Sequence, residues 1–427
     1  MKTSSDPSAR VSAPKAKSDA LSPADIKAGT MRSAKGQRAF VQPLRKSHRD
    51  LERPPFECIA LLLQGGGALG AFQAGVYQGL AEANLHPNWV AGISIGAINA
   101  ALIAGNAPEA RLDKLRAFWE QVSTPRFPDF FGLANDWFRG DWGHVFLNRL
   151  HAGTNMLDGA SGFFSPRMPP PYLHPPGTVD ATSWYDTSPL RGTLENLIDF
   201  DRINFGEMRF SVGTVNIRSG NFVYFDSTTH TIRPEHIIAS GALPPGFPPV
   251  EVDGELYWDG GLVSNTPLQW VVEGETRKDT LAFQVDLWNA RGEMPKDLSD
   301  VMVRQKEIQY SSRTRANTDR FKLYQTVRYA LANILEKIPP ELLDNEDGTL
   351  LQALADRRVY QIVHLIYRSK NYEVQSKDYD FSRASMTDHW NAGYNDVIRT
   401  LRHPEALHRP SETPGVATFD LAVNGRE

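Results

Sequence analysis

The chain has a single cysteine, Cys58, which excludes an intramolecular disulfide and any cysteine-based metal cluster. Cys58 itself reads as a small buried apolar residue. No charge of one sign dominates: 46 Lys and Arg against 50 Asp and Glu leave −4, so nothing global points to nucleic acid. Long apolar runs are missing as well. The longest, around Ile59 and Ile93, are too short to span a bilayer. No compact apolar segment with a small-residue cleavage site follows Met1, so no secretory signal is expected and the default location is the cytoplasm, with peripheral membrane contact compatible. There is no internal repeat and no G-K-[ST] phosphate loop. The 427 residues suffice for one large domain with an appendage, or for two.

The informative stretch runs from Cys58 to Asn106. Ile59–Leu63 is a continuous apolar run of the kind buried on both faces of a parallel sheet, and it leads directly into Gly65-Gly66-Gly67-Ala68-Leu69-Gly70. From Ala71, the residues Phe72, Val76, Leu80 and Ala83 recur at helical spacing. The glycines therefore stand where a helix begins and where free backbone N–H groups can face an anion. Trp89–Ile93 predicts a second strand, and Gly92-Ile93-Ser94-Ile95-Gly96 leads into a small-residue helix over Ala97–Ala104. That pattern fits a nucleophile elbow, a strained strand-to-helix turn with glycine two positions either side of the serine. Both motifs fall at carboxyl ends of adjacent strands, where parallel α/β sheets collect their ligands.

Residues 1–53 are rich in Ser, Ala, Pro, Lys and Arg without hydrophobic periodicity, which predicts a disordered, mildly basic arm suited at most to weak contact with an anionic surface. Helices are predicted over Arg111–Val122 and from Ser188 to Ile198, with Ser188 as cap and Pro189 in the first turn. Between them, 127–187 is dense in aromatics and prolines. It reads either as an irregular excursion over the mouth of the site or as a structural insertion with its own aromatic core. Strands are predicted over Arg209–Asn216, Asn221–Phe225 and Leu281–Leu287, and Leu243–Val250 is too rich in proline for regular structure. Asp259 follows Glu255-Leu256-Tyr257-Trp258 and precedes Gly260-Gly261. Such a carboxylate is ordinarily a turn former. The elbow serine needs a base, however, and a carboxylate partly desolvated by this apolar flank can serve as one.

In this order, G-G-G-A-L-G (Gly65–Gly70), G-I-S-I-G (Gly92–Gly96) and D-G-G (Asp259–Gly261) resemble the three signatures of the patatin-like phospholipases. Ala239-Ser240-Gly241-Ala242-Leu243-Pro244 and Ser264-Asn265-Thr266-Pro267 are similar to that family's flanking segments, and the likeness covers roughly 56–290. It implies a three-layer α/β sandwich with a mostly parallel central sheet, plus a mainly helical C-terminal extension. It also implies a catalytic domain over 54–290, an extension over 291–403 and a loose tail over 404–427. By the same resemblance Ser94 would be the nucleophile, Asp259 the general base and acid, and Gly65, Gly66 and Gly67 the oxyanion loop, with Gly70, Gly92, Gly96, Gly260 and Gly261 supporting the motifs. The activity implied is hydrolysis of lipid carboxylic esters, phospholipase A or lysophospholipase in type, without cofactor or metal. Leu69 stands where members often carry a basic residue.

Other readings stay open on residues alone. His389 could complete a Ser-His-Asp α/β-hydrolase or polyester hydrolase with Asp259 as orienter. Gly65-x-Gly67-x-x-Gly70 fits a dinucleotide fingerprint, although the second strand ends without the acidic residue that fingerprint needs. A catalytically idle adaptor at a membrane surface would keep the fold and work through the arm and C-terminal helices.

Overall fold

The apolar run after the glutamate at position 57 becomes β1 (Cys58–Leu63), buried at every residue. Ile59, Leu61 and Leu63 point into one core and Cys58, Ala60 and Leu62 into another, the alternation of a strand covered on both faces. The computed structural model describes residues 47–124, 159–274, 277–368, 377–410 and 415–421. The first 46 residues of the basic arm, 125–158 of the aromatic stretch and parts of the expected tail lie outside them.

β1 is flanked in parallel by β2 (Trp89–Ile93) and by the strand Thr280–Asp286. A short hairpin of β3 (Ser165–Pro166) and β4 (Tyr185–Asp186) stands apart. The remaining strands are β5 (Arg209–Asn216), β6 (Phe222–Asp226), β7 (Val250–Val252), β8 (Glu255–Asp259), β9 (Thr280–Asp286), β10 (Tyr360–Ile366) and β11 (Val416–Asp420). Across the sheet the order is β11-β10-β9-β1-β2-β5-β8-β7, with β6 also on β5. The strands from β11 to β5 are parallel, and β6, β7 and β8 form the antiparallel end.

Helices cover both faces. The first core is roofed by α1 (Ala71–Glu82), α2 (Ile95–Ala104), α3 (Arg111–Val122) and the helix Arg383–Leu401. The second lies under Leu268–Glu273 and under Phe321 of the long helix Leu298–Leu335. The result is the mostly parallel three-layer sandwich expected from the sequence. Close approach of α1 and Arg383–Leu401 depends on glycine: a Cβ on Gly75 would lie 1.9 Å from the Trp390 carbonyl oxygen, and one on Gly393 2.0 Å from that of Phe72.

The C-terminal part is helical, but it is also built into the sheet. β10 pairs with the full length of β9, and β11 pairs with β10 from Tyr360↔Val416 to His364↔Asp420. The stretch read as a loose tail thus supplies an edge strand. Gly415, at φ +76°, turns the chain into it, and Val416 and Phe419 are buried. A helix over Glu346–Leu354 is begun by the Asn345 side chain accepting the Gly348 N–H. Beyond its end Asp356 ties the chain to β10, accepting from the Arg358 N–H and from the Tyr360 hydroxyl. At the helix Ser188–Leu197, the cap is Thr187 rather than Ser188. Asp186 anchors that turn by accepting both the N–H and the hydroxyl of Ser188.

Candidate active site

Strand register brings the distant motifs together. Ile93 is level with Gly213 on β5, and Thr214 next to it pairs with Asp259 on β8. The residue after β2 and the last residue of β8 therefore meet across one strand. Ser94 sits in the sharp turn at φ +57° and ψ −127°, a conformation that costs about 1–3 kcal/mol for a non-glycine residue and persists only where its surroundings enforce it. Here they do. The Ser94 N–H donates to the Ser240 hydroxyl at 2.9 Å, and that hydroxyl donates to the Gly213 carbonyl at 2.7 Å. Gly92 and Gly96 are required by crowding: a Cβ on Gly92 would be 2.3 Å from the Gly96 oxygen, and one on Gly96 2.2 Å from the Leu63 oxygen.

Asp259 is 2% exposed and lines the same cavity as Ser94. Burial pushes its pKa up to about 7, against the opposing pull of the Ser94 side chain and of the Gly261 N–H, which donates to Oδ1 at 2.7 Å. The D-G-G turn is thus an Asx-turn and a carboxylate holder at once. Gly260 fits because a Cβ there would lie 2.6 Å from the Gly213 oxygen.

The glycine loop is held from three sides. The Asn265 side-chain amide clamps Gly65, accepting its N–H at 3.1 Å and donating to its carbonyl at 3.0 Å. Trp288 Nε1 donates to the same carbonyl at 2.9 Å. Ala68 N–H donates to the Asp378 carbonyl at 2.8 Å. Gln64, fully buried, fastens the base of the loop: its Oε1 accepts from Leu287 and Trp288 N–H, and its Nε2 donates to Thr266 and to the Tyr310 carbonyl. The Gly65 amide is engaged by Asn265, whereas those of Gly66 and Gly67 have no partner among the described residues.

A sequence model of patatin-like phospholipases matches residues 61–271, and a second, described as patatin phospholipase, matches 308–413. The chain belongs to the patatin-like phospholipases. Its chemistry is accordingly that of a lipid-ester hydrolase. Among solved structures, the crystal structure of VipD from Legionella pneumophila is similar at 14% identity, covering 88% of this chain and 76% of that one with a TM-score of 0.37, too distant to bear on the site. No curated protein matches.

In this patatin-like protein the elbow, Asp259 and the glycine loop line one cavity of about 410 Å³. Its lining is greasy in part, with Phe163, Phe164, Leu243, Phe247 and Phe381, and also carries the polar side chains of Ser94, Asp259, Lys306, Tyr310 and Asp378. The described part of the aromatic stretch serves both readings given above. Phe163 and Phe164 pack with Phe247 and Phe381 as an aromatic cluster, and with Tyr185 they also face the cavity. The hairpin holds the proline-rich wall, since Trp184 and Tyr185 N–H donate to the Pro245 and Gly246 carbonyls.

His389 is buried on the helix Arg383–Leu401, with Nδ1 3.4 Å from the Ala68 carbonyl and its ring edge-on to Tyr367. It does not line the cavity, whereas Ser94 and Asp259 both do. Leu69 is fully buried, and the cation in the cavity wall is Lys306 from another part of the chain. Sequence reasoning passed over Gln64, Trp288, Lys306, Tyr310 and Asp378. Asn265 carried a signal, the S-N-T-P after D-G-G. Lys306 carried none, being one of many cations on a long amphipathic helix.

Proposed function

We propose that the protein hydrolyses long-chain lipid esters at Ser94 through a Ser–Asp dyad and an acyl-enzyme. What supports this reading is the buried Asp259 carboxyl lining the same cavity as the elbow serine, beside two loop amides without a partner among the described residues. Ionised Asp259 takes the hydroxyl proton as Ser94 Oγ attacks the ester carbon. The oxygen that gains charge receives the Gly66 and Gly67 N–H groups, with the positive end of α2 nearby. Collapse breaks the ester bond, and Asp259 returns the proton to the departing alcohol. Water then attacks the acyl-enzyme with Asp259 again as base, which releases the fatty acid and restores the serine hydroxyl. The acyl chain lies among Phe163, Phe164, Phe247 and Phe381.

The test is mass spectrometry of products after incubation with mixed lipid vesicles, with Ser94→Ala protein as the blank. Released fatty acid is expected from the wild type alone, and equal release from both would refute the reading. The pH dependence has a definite sign. A base whose pKa is about 7 is protonated and idle below that value, so kcat/KM should climb as pH rises through about 7 and then level. A profile already flat from pH 5 would exclude Asp259 as the titrating base.

A further inference from the structure

The cavity lining includes a pair of opposite charges supplied by the C-terminal part of the chain. Lys306 Nζ lies 2.8 and 3.0 Å from the two carboxylate oxygens of Asp378 and 5.2 Å from the centre of the Tyr379 ring. Among the described residues that line the cavity, Lys306 is the one cation. Both partners keep some exposure, 30% for the lysine side chain and 21% for the aspartate, and ion pairs in such settings contribute little to stability and exchange partners readily.

The pair stands close to the reacting groups. The Asp378 carbonyl accepts the Ala68 N–H, so its backbone lies directly on the glycine loop. Tyr310 lies within electrostatic reach of both Asp259 and Asp378: burial first, then these two carboxylates, pushes its phenol up. A substrate whose ester carbonyl sits at Ser94, with its acyl chain among the phenylalanines, would thus present its other end to Lys306 and Asp378.

We infer that Lys306 and Asp378 form a headgroup subsite selective for zwitterionic glycerophospholipids, the phosphate going to Lys306 and the ammonium to Asp378. This deepens the esterase reading and rests on it. Selectivity follows from what each headgroup does to the pair. A zwitterion replaces each charge with an equivalent one and leaves none unmatched. A neutral glyceride leaves the internal pair closed and gains nothing from it. An anionic headgroup gains Lys306 but must lie against the displaced Asp378 carboxylate, which repels it.

The experiment uses short-chain, monomeric lipids that differ only beyond the glycerol: dihexanoyl phosphatidylethanolamine, phosphatidylglycerol and dihexanoylglycerol. Two readouts separate the readings. Hydrolysis of dihexanoylglycerol by the wild type reports the esterase activity alone, and calorimetric binding of the three lipids to Ser94→Ala protein reports headgroup choice without turnover. In the binding measurement the phosphatidylethanolamine should be preferred over either competitor by about tenfold, the range of a hydrogen-bonded charge contact. Lys306→Met should remove the preference over the neutral lipid. Asp378→Asn keeps the backbone carbonyl on Ala68 and should turn the preference toward phosphatidylglycerol. Equal binding of all three lipids, or an unchanged ranking in both variants, would overturn the subsite and identify the ion pair as a structural tie. Headgroup preference in binding without hydrolysis of any lipid would overturn the esterase reading instead.

Discussion

Changing Asp259 to asparagine is expected to lower kcat for ester hydrolysis by on the order of 10²–10⁴, the usual contribution of a positioned general base, while the protein becomes more stable at alkaline pH. The two effects share one cause. The Asp259 carboxyl titrates at about 7 in the folded chain and near ~4 in an unfolded one, so the fold holds a proton that the unfolded chain has already released. Stability from this group is complete below pH ~4 and is lost as pH rises through about 7. Asparagine is neutral throughout and escapes that loss. It can also keep the turn, its amide oxygen accepting the Gly261 N–H as the carboxylate Oδ1 does. The melting temperature of the variant relative to wild type should therefore be higher at pH 8 than at pH 5. A variant that is merely misfolded would lose activity without this pH-dependent gain, and a variant with wild-type turnover would sink the dyad. The double variant with Ser94→Ala should be no slower than Ser94→Ala alone, because groups that act as a unit are not additive.

The parts of the site legible in the sequence are those governed by neighbours along the chain. β1, β2, α1 and the elbow follow from apolar runs, helical spacing and glycines within a few positions of Ser94, rules that need no knowledge of the rest of the fold. Asp259 was a weaker inference because its role depends on β8 running antiparallel beside β5, a register that no local pattern states. The commitments of the loop amides were invisible. Gly65 is engaged by Asn265, two hundred positions away, and Ala68 by the carbonyl of Asp378, more distant still. β11 escaped notice for another reason: it is a five-residue edge strand with only Val416 and Phe419 buried, too little alternation to stand out. These long-range ties also change the meaning of the C-terminal part. A segment with no catalytic signature of its own holds the glycine loop in place and supplies the Lys306 and Asp378 charges in the cavity lining.

That dependence predicts a graded response to a single methyl group in the loop. Gly67 is at φ +56°, where side chains are disfavoured, and its Cβ would lie 2.1 Å from the Asp378 carbonyl oxygen, a backbone atom that cannot rotate away. Alanine there must push the loop and the 377–381 segment apart, breaking the Ala68 to Asp378 hydrogen bond and turning the Gly67 N–H off its target. Loss of one oxyanion donor typically costs 10²–10³ in kcat, and Gly67→Ala is expected to fall in that range with a smaller change in KM, since the donor acts on the charge that develops in the transition state. Gly66 offers the contrast. Its φ of 172° is open to any residue, and a Cβ would press on Leu287 Cδ1 at 2.8 Å, which a rotamer change moves away, and on Leu287 Cβ at 2.9 Å, a milder overlap than the 2.1 Å at Gly67. Gly66→Ala should therefore be folded and clearly more active than Gly67→Ala. Circular dichroism melts establish that both variants are folded, and steady-state kinetics on a soluble ester rank them. Equal activity in the two, or wild-type kcat in Gly67→Ala, would mean that the loop amides do not meet the oxyanion, for the clash at Gly67 leaves no way to keep its N–H where it is.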